Sequence, residues 1–319
     1  MNYYIGIDIG GTKIAAATIS AKGNIVARTK TSTPSKANAN DVYACLLGSI
    51  DELLHASGLL KRQIKGIGLG VPGIVDTHNS HILAAPNLAM TGFPIGAYLK
   101  KKFRVPIAMA NDVNAGLLGE AWLGVAKGYN YVAGIFPGTG VGGAVIHNGH
   151  LILGAQGAAT ELGHMIIDIH GPKCHCGNYG CLEALASRWA IERDIRKLIK
   201  SGRKSKITQM TQGDLSSIKS RVLKDALLRN DAVVKEVITQ ASVCLGKASI
   251  SINHMFNPQA IVFGGGIIKS CAEFMLPTIA RIVFADPFFK KFNTCKILQS
   301  SLGDDAVPLG AVRLVSNLM

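Results

Sequence analysis

Acidic and aromatic residues are both scarce in this chain. Of its 319 residues, 20 are Asp or Glu against 34 Lys or Arg, the formal net charge is +14, and aromatic residues make up 6%. The basic residues are spread along the chain, with local concentrations at 100–104 and 200–206 that lack regular interleaving with aromatic side chains. Zinc-finger, basic-zipper and RNA-recognition signatures are also missing. We therefore interpret the excess charge as a solvated basic face and expect no nucleic-acid partner.

Long apolar runs are lacking as well. A membrane-spanning helix needs about 18 or more consecutive apolar residues, and the sequence contains no such run. The first residues, MNYYIGIDIGG, lack the basic and apolar regions of a secretory signal peptide. We therefore expect a cytoplasmic protein with no membrane partner, in which the seven cysteines stay reduced rather than forming a disulfide framework.

The hydrophobic content, 48% of 319 residues, is sufficient for two domains with separate cores. Hydrophobic patterning and turn residues predict an alternation of strands and helices, which is typical of α/β proteins. Strands are expected at 2–9, 13–19, 24–31, 64–73, 105–112, 131–136 and from 260 into a glycine turn. Helices are expected at 39–57, 94–103, 113–124, 184–201, 214–256 and in the closing segment after 304.

Three glycine-rich turns follow predicted strands, and glycine lets backbone approach phosphate oxygens closely. The first is DIGGTK, in which a strand follows the turn where a P-loop would have a helix, and in which Asp8 could hold a metal through water. The second is PGTGVGG at 137–143, and the third is GGG at 264–266. The nucleotide-binding candidates are Asp8, Gly10, Gly11, Thr12, Lys13, Gly138, Thr139, Gly140, Gly142, Gly264 and Gly265.

Three of the seven cysteines lie between positions 174 and 181, close to a histidine. One nitrogen and three sulfur ligands suit tetrahedral Zn²⁺, and a filled ligand shell indicates a structural ion. The predicted ligands are His164, Cys174, Cys176 and Cys181, with His175 as the competing nitrogen ligand. The other four cysteines are expected to be buried as small hydrophobic residues.

Polar residues beside these motifs suit a sugar. Glu161, His164 and Glu183 could accept hydrogen bonds from vicinal hydroxyls. Asn111 and Asp112 end an apolar predicted strand, where Asp112 could take a proton from a sugar hydroxyl while Asn111 holds the sugar. The alternative interpretation of this pair is an ordinary helix N-cap, and the two roles are compatible.

Together these motifs resemble the ROK family of sugar kinases and transcriptional repressors. The matches are DIGGTK at 8–13, VPG at 71–73, PNL at 86–88, NDVN at 111–114, GTGVGG at 138–143, ELGH at 161–164 and CHCGNYGCLE at 174–183. They span essentially the whole chain, and their residues are most similar to the corresponding motifs of bacterial glucokinases. The resemblance implies an α/β fold of the actin-like ATPase (ribonuclease H-like) type, with two α/β domains around a cleft. We place the N-terminal domain at 1–115 plus 304–319, and the C-terminal domain, with its zinc-binding loop, at 116–303.

The resemblance also implies an activity, ATP-dependent phosphorylation of a hexose, with glucose 6-phosphate as the expected product in carbohydrate metabolism. Asp112 matches the catalytic base of the family, and the first two glycine turns match its nucleotide-phosphate sites. ATP, Mg²⁺ and structural Zn²⁺ are the expected cofactors, and a homodimer or higher homo-oligomer is the expected assembly. The sugar-site matches are Gly73, Asn87, Asn111, Asp112, Glu161, His164 and Glu183.

Three positions depart from the family pattern. Thr160 stands where a glycine is usual before the glutamate of the ELGH element, which bears on the backbone beside Glu161. The segment AMTGFP at 89–94 lacks a usual tryptophan and bears on sugar specificity. Phe136 and Pro137 replace a small polar residue and a leucine before the second turn, which bears on nucleotide geometry.

Two alternatives stay open from the sequence. The first is a kinase of the same family acting on N-acetylmannosamine, N-acetylglucosamine or fructose. The second is a sugar-responsive repressor, which in this family carries a helix-turn-helix domain ahead of the kinase-like part. Since the first phosphate-turn strand begins near residue 3, we expect the repressor less than the kinase.

Overall fold

A computed structural model describes residues 2–34, 38–77, 79–85, 88–216, 218–292 and 294–318. The chain folds into two compact units. Unit 1 comprises Met1–Asn130, Ala144–Thr160 and Ser301–Met319, and unit 2 comprises Tyr131–Gly143 and Glu161–Ser300.

The strands are β1 Tyr3–Ile9, β2 Lys13–Ser20, β3 Ile25–Ser32, β4 Ile64–Val71, β5 Ile74–Asp76, β6 His81–Ala84, β7 Ile107–Asn111, β8 Val132–Pro137, β9 Val141–His147, β10 His150–Leu151, β11 Ala260–Phe263 and β12 Lys296–Gln299. The α-helices are α1 Ala39–Ser57, α2 Ile95–Phe103, α3 Asp112–Leu123, α4 Leu182–Ala186, α5 Arg188–Lys200, α6 Ile207–Met210, α7 Ser220–Leu228, α8 Ala232–Phe256, α9 Gly265–Phe284 and α10 Ala306–Ser316.

The sheet of unit 1 has the strand order β3-β2-β1-β4-β7. Strands β1, β2 and β3 form an antiparallel meander, whereas β1, β4 and β7 are parallel to one another. The carboxyl ends of these three parallel strands therefore share one sheet edge. That edge receives Asp8, near the end of β1, and Asp112, directly after β7.

The two faces of this sheet pack differently because β1 side chains alternate between them. Ile5, Ile7 and Ile9 are fully buried in the core that also contains the apolar side of α1. On the other face α10 approaches so closely that a Cβ added at Gly68 would lie 1.9 Å from the Ala311 carbonyl oxygen. A larger residue at position 68 would displace α10, so this glycine is required for the helix to cover the sheet.

Unit 2 is built around the parallel strands β8, β11 and β12, which are neighbours in the order β8-β11-β12. All four residues of β11 are buried, as expected for a parallel strand covered on both faces. The long helices α8 and α9 contribute further buried apolar residues.

Most of the predicted strands and helices are present, but several details were wrong. Residues 141–143, predicted as turn, begin β9. The predicted helix 184–201 is interrupted at Ser187, whose hydroxyl caps α5 by accepting a hydrogen bond from the Ala190 amide at 3.2 Å. The predicted helix 214–256 is divided before Asp231, which caps α8 through the Val234 amide at 2.9 Å. Helix α9 was missed, because its glycine-rich start and Pro277 are helix breakers by propensity.

Within the part of the chain described above, none of the helices combines the length and the apolar character needed to cross a lipid bilayer.

Candidate active site and metal centre

The first glycine turn joins β1 to β2, as the sequence predicted. Its ends are closed by a hydrogen bond from the Gly10 amide to the Lys13 carbonyl at 2.8 Å, and the Thr33 hydroxyl donates to the Gly10 carbonyl at 2.6 Å. Gly11 and Thr12 are exposed at the tip, so their backbone is accessible to an anion.

Asp8 and Asp112 form a pair of electrostatically coupled carboxylates in unit 1. Burial and the neighbouring Asp112 charge raise the pKa of Asp8 to about 6, against the opposing effect of Lys13. Burial also raises the pKa of Asp112, although its carboxylate accepts a hydrogen bond from the Val113 amide at 2.9 Å. Both groups would therefore be stabilised in their charged forms by a bound cation.

Asn111 holds the start of α3 in place. Its side-chain oxygen accepts a hydrogen bond from the Val113 amide at 2.8 Å, and its side-chain nitrogen donates to the Gly73 carbonyl at 2.9 Å. The N-cap interpretation of this motif is therefore correct for Asn111. Gly73 itself has φ +96°, and a Cβ there would lie 2.0 Å from the Ala84 carbonyl oxygen. The predicted sugar-site residue Asn87 lies outside the described residues.

The second glycine turn contacts Glu183 within unit 2. The Glu183 carboxylate accepts a hydrogen bond from the Val141 amide at 3.1 Å. A Cβ at Gly140 would lie only 2.3 Å from the same carboxylate, so glycine permits this approach. At the tip of the turn, the Arg188 guanidinium donates to the Thr139 hydroxyl at 3.0 Å.

The third glycine turn leads from β11 into α9, so it differs from the other two in being followed by a helix. Gly265 adopts φ +79°. The Phe136 side chain packs so closely that a Cβ at Gly264 would lie 2.6 Å from its ring. Phe136, which precedes the second turn in the sequence, therefore also packs against the third turn.

The cysteine motif forms a compact cluster in unit 2. The ligand atoms of His164, Cys174, Cys176 and Cys181 all lie within 4.8 Å of one another. The sulfurs of Cys176 and Cys181 are 3.7 Å apart, and the Cys174 sulfur is 3.8 Å from His164 Nδ1. Tetrahedral Zn²⁺ with bonds of about 2.3 Å requires ligand separations of about 3.8 Å, so the residues fit this ion.

His175, the competing ligand, is engaged elsewhere: its ring lies against Trp189 with centroids 4.3 Å apart. The Cys174 sulfur also lies 3.6 Å from the Glu183 carboxylate, which connects the metal cluster to the second glycine turn. Burial raises the pKa of the Cys174 thiol to about 12, so metal binding to its thiolate would release a proton.

The other cysteines follow the expected pattern in three of four cases. Cys244, Cys271 and Cys295 are buried, whereas Cys45 is only partly buried and its thiol contacts the Ser32 carbonyl.

Thr160, directly before Glu161, adopts φ +64°. This left-handed conformation favours glycine and is unusual for a β-branched residue. The buried Thr160 hydroxyl also finds no hydrogen-bond partner among the described residues. The replacement of the usual glycine therefore leaves local strain beside Glu161.

Sequence reasoning missed two charged residues in these clusters. Asp304 accepts a hydrogen bond from Lys13 at 3.2 Å and raises the pKa of Asp8 through its charge. Arg188 reaches the second glycine turn. Neither has a local sequence signal, because each joins its cluster through a contact that is distant along the chain.

The comparisons with known proteins agree with this architecture. The model of the ROK family matches residues 4–317. The chain belongs to the ROK family. Its fold is accordingly the actin-like ATPase fold, built here on mixed α/β sheets.

The similar proteins within the family include both kinases and repressors. The glucokinase of Thermotoga maritima is 30% identical over 313 residues, which cover 98% of this chain and 96% of that protein. The xylose repressor of Bacillus spizizenii is 31% identical over 316 residues, which cover 98% of this chain and 77% of the repressor. A ROK family glucokinase from Streptomyces griseus, solved in complex with glucose and AMPPNP, superposes with a TM-score of 0.83 at 27% identity, covering 99% of this chain and 100% of that one.

Proposed function

We propose that this protein is an ATP-dependent hexose kinase that converts glucose to glucose 6-phosphate. The observation that carries the proposal is Asp112, a carboxylate of raised pKa at the junction of β7 and α3, electrostatically coupled to Asp8. The cap of α3 does not require the Asp112 carboxylate, because the Asn111 side chain already caps this helix. The similarity to glucokinases over nearly their whole length supports the same activity.

In the proposed reaction Asp112 is the general base. It accepts the proton of the sugar hydroxyl as that oxygen attacks the γ-phosphorus of ATP, and the bond from phosphorus to the ADP leaving oxygen breaks. A carboxylate whose pKa is raised toward neutrality is a better base, since proton transfer is most efficient when the catalytic pKa approaches the working pH.

The glycine turns would bind the nucleotide phosphates through backbone amides, assisted by Thr12, Lys13 and Thr139. Mg²⁺ bound with ATP would neutralise phosphate charge. Asp8 would hold this ion, since oxygen ligands suit Mg²⁺. The raised pKa of Asp8 means that its ionised form is destabilised in the fold, and a bound cation would offset this.

Glu161, His164 and Glu183 would accept hydrogen bonds from sugar hydroxyls. His164 presents Nδ1 to the cysteine cluster, which leaves Nε2 for the sugar. A structural Zn²⁺ held by His164, Cys174, Cys176 and Cys181 would fix the orientation of this ring.

We further propose a cytoplasmic location and a homodimer or higher homo-oligomer.

The deciding experiment compares kcat/KM for glucose, mannose, fructose, N-acetylglucosamine and N-acetylmannosamine in one coupled ATP assay. Buried polar groups that a wrong epimer leaves unpaired cost about 1–3 kcal/mol each, so glucose should be preferred clearly. A tenfold preference for an N-acetylated sugar, which corresponds to about 1.4 kcal/mol, would disprove glucose as the preferred substrate. It would leave the proposed kinase activity unaffected.

The second candidate is a sugar-responsive repressor, which the similarity to xylose repressors favours. Absence of turnover with all five sugars, together with binding of one of them, would support this function over the kinase.

A further inference from the structure

A groove in unit 1 lies apart from the residues of the proposed reaction. It has a volume of about 800 Å³ and is formed where β4 begins, where α2 ends and in the segment that leads into β7. Among the residues that the structure describes, its lining includes six basic residues and no acidic residue: Lys61, Arg62, Lys65, Lys101, Lys102 and Arg104. All six are exposed.

The groove lies at the opposite sheet edge from Asp8 and Asp112. The basic residues cluster near the amino-terminal ends of β4 and β7, whereas Asp112 follows the carboxyl end of β7. Since β7 contains five residues, its length of about 3.3 Å per residue separates the two edges by about 16 Å. The groove is therefore separate from the proposed phosphate-transfer site.

The walls of the groove are held together by Lys61. Its ammonium group donates a hydrogen bond to the Lys102 carbonyl and lies 4.7 Å from the centroid of the Phe103 ring. Among the described residues no carboxylate forms an ion pair with any of the six cations. Lysines at the end of α2 complement the helix dipole, but this does not account for Lys61, Arg62 and Lys65 on a different element.

We propose that this basic groove binds a linear polyphosphate, meaning a chain of phosphate groups without bases. Several closely spaced cations in a concave surface attract a ligand with several closely spaced anions. Four of the six cations are lysines, which bind phosphate as point charges without strict geometry.

The rest of the lining argues against other polyanions. Apart from the cations, the described part of the lining consists of Ile64, Phe103, Val105 and Pro106, which offer no amide or hydroxyl side chain to read base edges. The aromatic ring of Phe103 in this lining is 6% exposed and lies under Lys61, so it offers no stacking surface for a base. An anionic membrane is also disfavoured, because the two largest apolar side chains of the lining, Ile64 and Phe103, are buried and cannot insert into lipid.

The test measures binding of short-chain inorganic polyphosphate to the full chain as a function of salt concentration. The variant Lys65→Gln/Lys101→Gln/Lys102→Gln removes three charges and leaves the bond between Lys61 and the Lys102 carbonyl possible. The matched control Lys200→Gln/Lys204→Gln/Lys235→Gln removes three exposed charges in unit 2.

The groove variant should lose affinity for polyphosphate tenfold or more, and the slope of log affinity against log salt concentration should decrease in magnitude by about 2. The control should retain wild-type affinity, and unchanged melting of both variants would verify that they fold.

Equal losses in both variants would mean binding to general surface charge and would overturn the proposal. Displacement of the polyphosphate by saturating ATP and Mg²⁺ would place it in the nucleotide site, with the same consequence. Tighter binding of oligothymidylate of equal charge, or of vesicles rich in phosphatidylserine, would identify a nucleic acid or a membrane as the occupant instead.

Discussion

The carboxylate pair of unit 1 and the cysteine cluster of unit 2 are assembled in opposite ways. Asp8 and Asp112 are 104 positions apart in the numbering and meet because β1, β4 and β7 are parallel in one sheet. The metal ligands instead fall within residues 164–181, and a local chain reversal brings them together. One site depends on the fold of a whole unit, whereas the other depends on a short segment and the ion it could hold.

This difference affects how the charge in each site is stabilised. In the carboxylate pair, burial raises both pKa values and the Asp112 charge raises that of Asp8 further, so the charged state is costly without a cation. In the cysteine cluster, Glu183 is held by the Val141 amide, and the sulfurs already have separations that suit an ion. We therefore expect substitutions in the pair to affect chemistry most, and substitutions in the cluster to affect local folding and sugar binding.

The largest expected effect is on turnover. Asp112→Asn should lower kcat at least about 100-fold, because a positioned general base is lost, while sugar binding and the fold remain largely intact. Steady-state kinetics, a sugar-binding titration and a melting curve measure these three properties. The exposed Asp51→Asn variant is the matched control. Wild-type kcat in Asp112→Asn would disprove the proposed mechanism.

The cysteine cluster can be tested by metal analysis, which should find about one zinc per chain in the wild-type protein. Cys176 is exposed, so Cys176→Ser should cost little unless a metal is bound there. We expect the variant to lose zinc, to melt several degrees lower and to have a higher KM for the hexose, because His164 would be shared between metal and sugar. Cys45→Ser, at another cysteine that is not buried, should change none of these. Zinc-free wild-type protein with unchanged melting and KM would contradict the assignment.

The contrast between the two sites also explains what the sequence could predict. Residue types and spacing predicted the clustering of one histidine with three cysteines, the glycine turns and the family, and hence the fold. The pairing of Lys13 with Asp304 and the approach of Arg188 to Thr139 were not predictable, because contacts distant in sequence create them. Helix α9 was missed for the related reason that tertiary packing overrides the low helix propensity of its glycines and proline. The catalytic and binding roles stay predictions until they are measured.

A smaller effect concerns stability and pH in unit 1. The pKa of Asp8 is raised from 3.8 to about 6 in the folded protein, so its ionisation favours unfolding. This destabilisation is absent below pH 3.8, grows as the pH rises through the interval up to about 6, and then stays constant at no more than about 3 kcal/mol. Asp8→Asn should therefore raise Tm at pH 8 in the absence of Mg²⁺, with an advantage that shrinks toward pH 4. A Tm difference independent of pH over this range would show that the carboxylate charge is not the cause.

The smallest effect is expected at Thr160, next to a proposed sugar ligand in sequence. Its φ of +64° costs a β-branched residue about 1 kcal/mol or more, and its buried hydroxyl lacks a partner among the described residues. Thr160→Gly removes both costs, although glycine adds conformational entropy to the unfolded chain. The net gain in the free energy of unfolding should be about 0.5–1 kcal/mol, measured as a rise in Tm.

The matched control is Ala159→Gly at the adjacent position. Ala159 adopts no positive φ, so this glycine should destabilise the protein by a similar amount. If Thr160→Gly melts lower than the wild type, Thr160 makes a stabilising contribution that outweighs its backbone strain. If it melts higher but the KM for the hexose also rises, the strain is part of what positions Glu161.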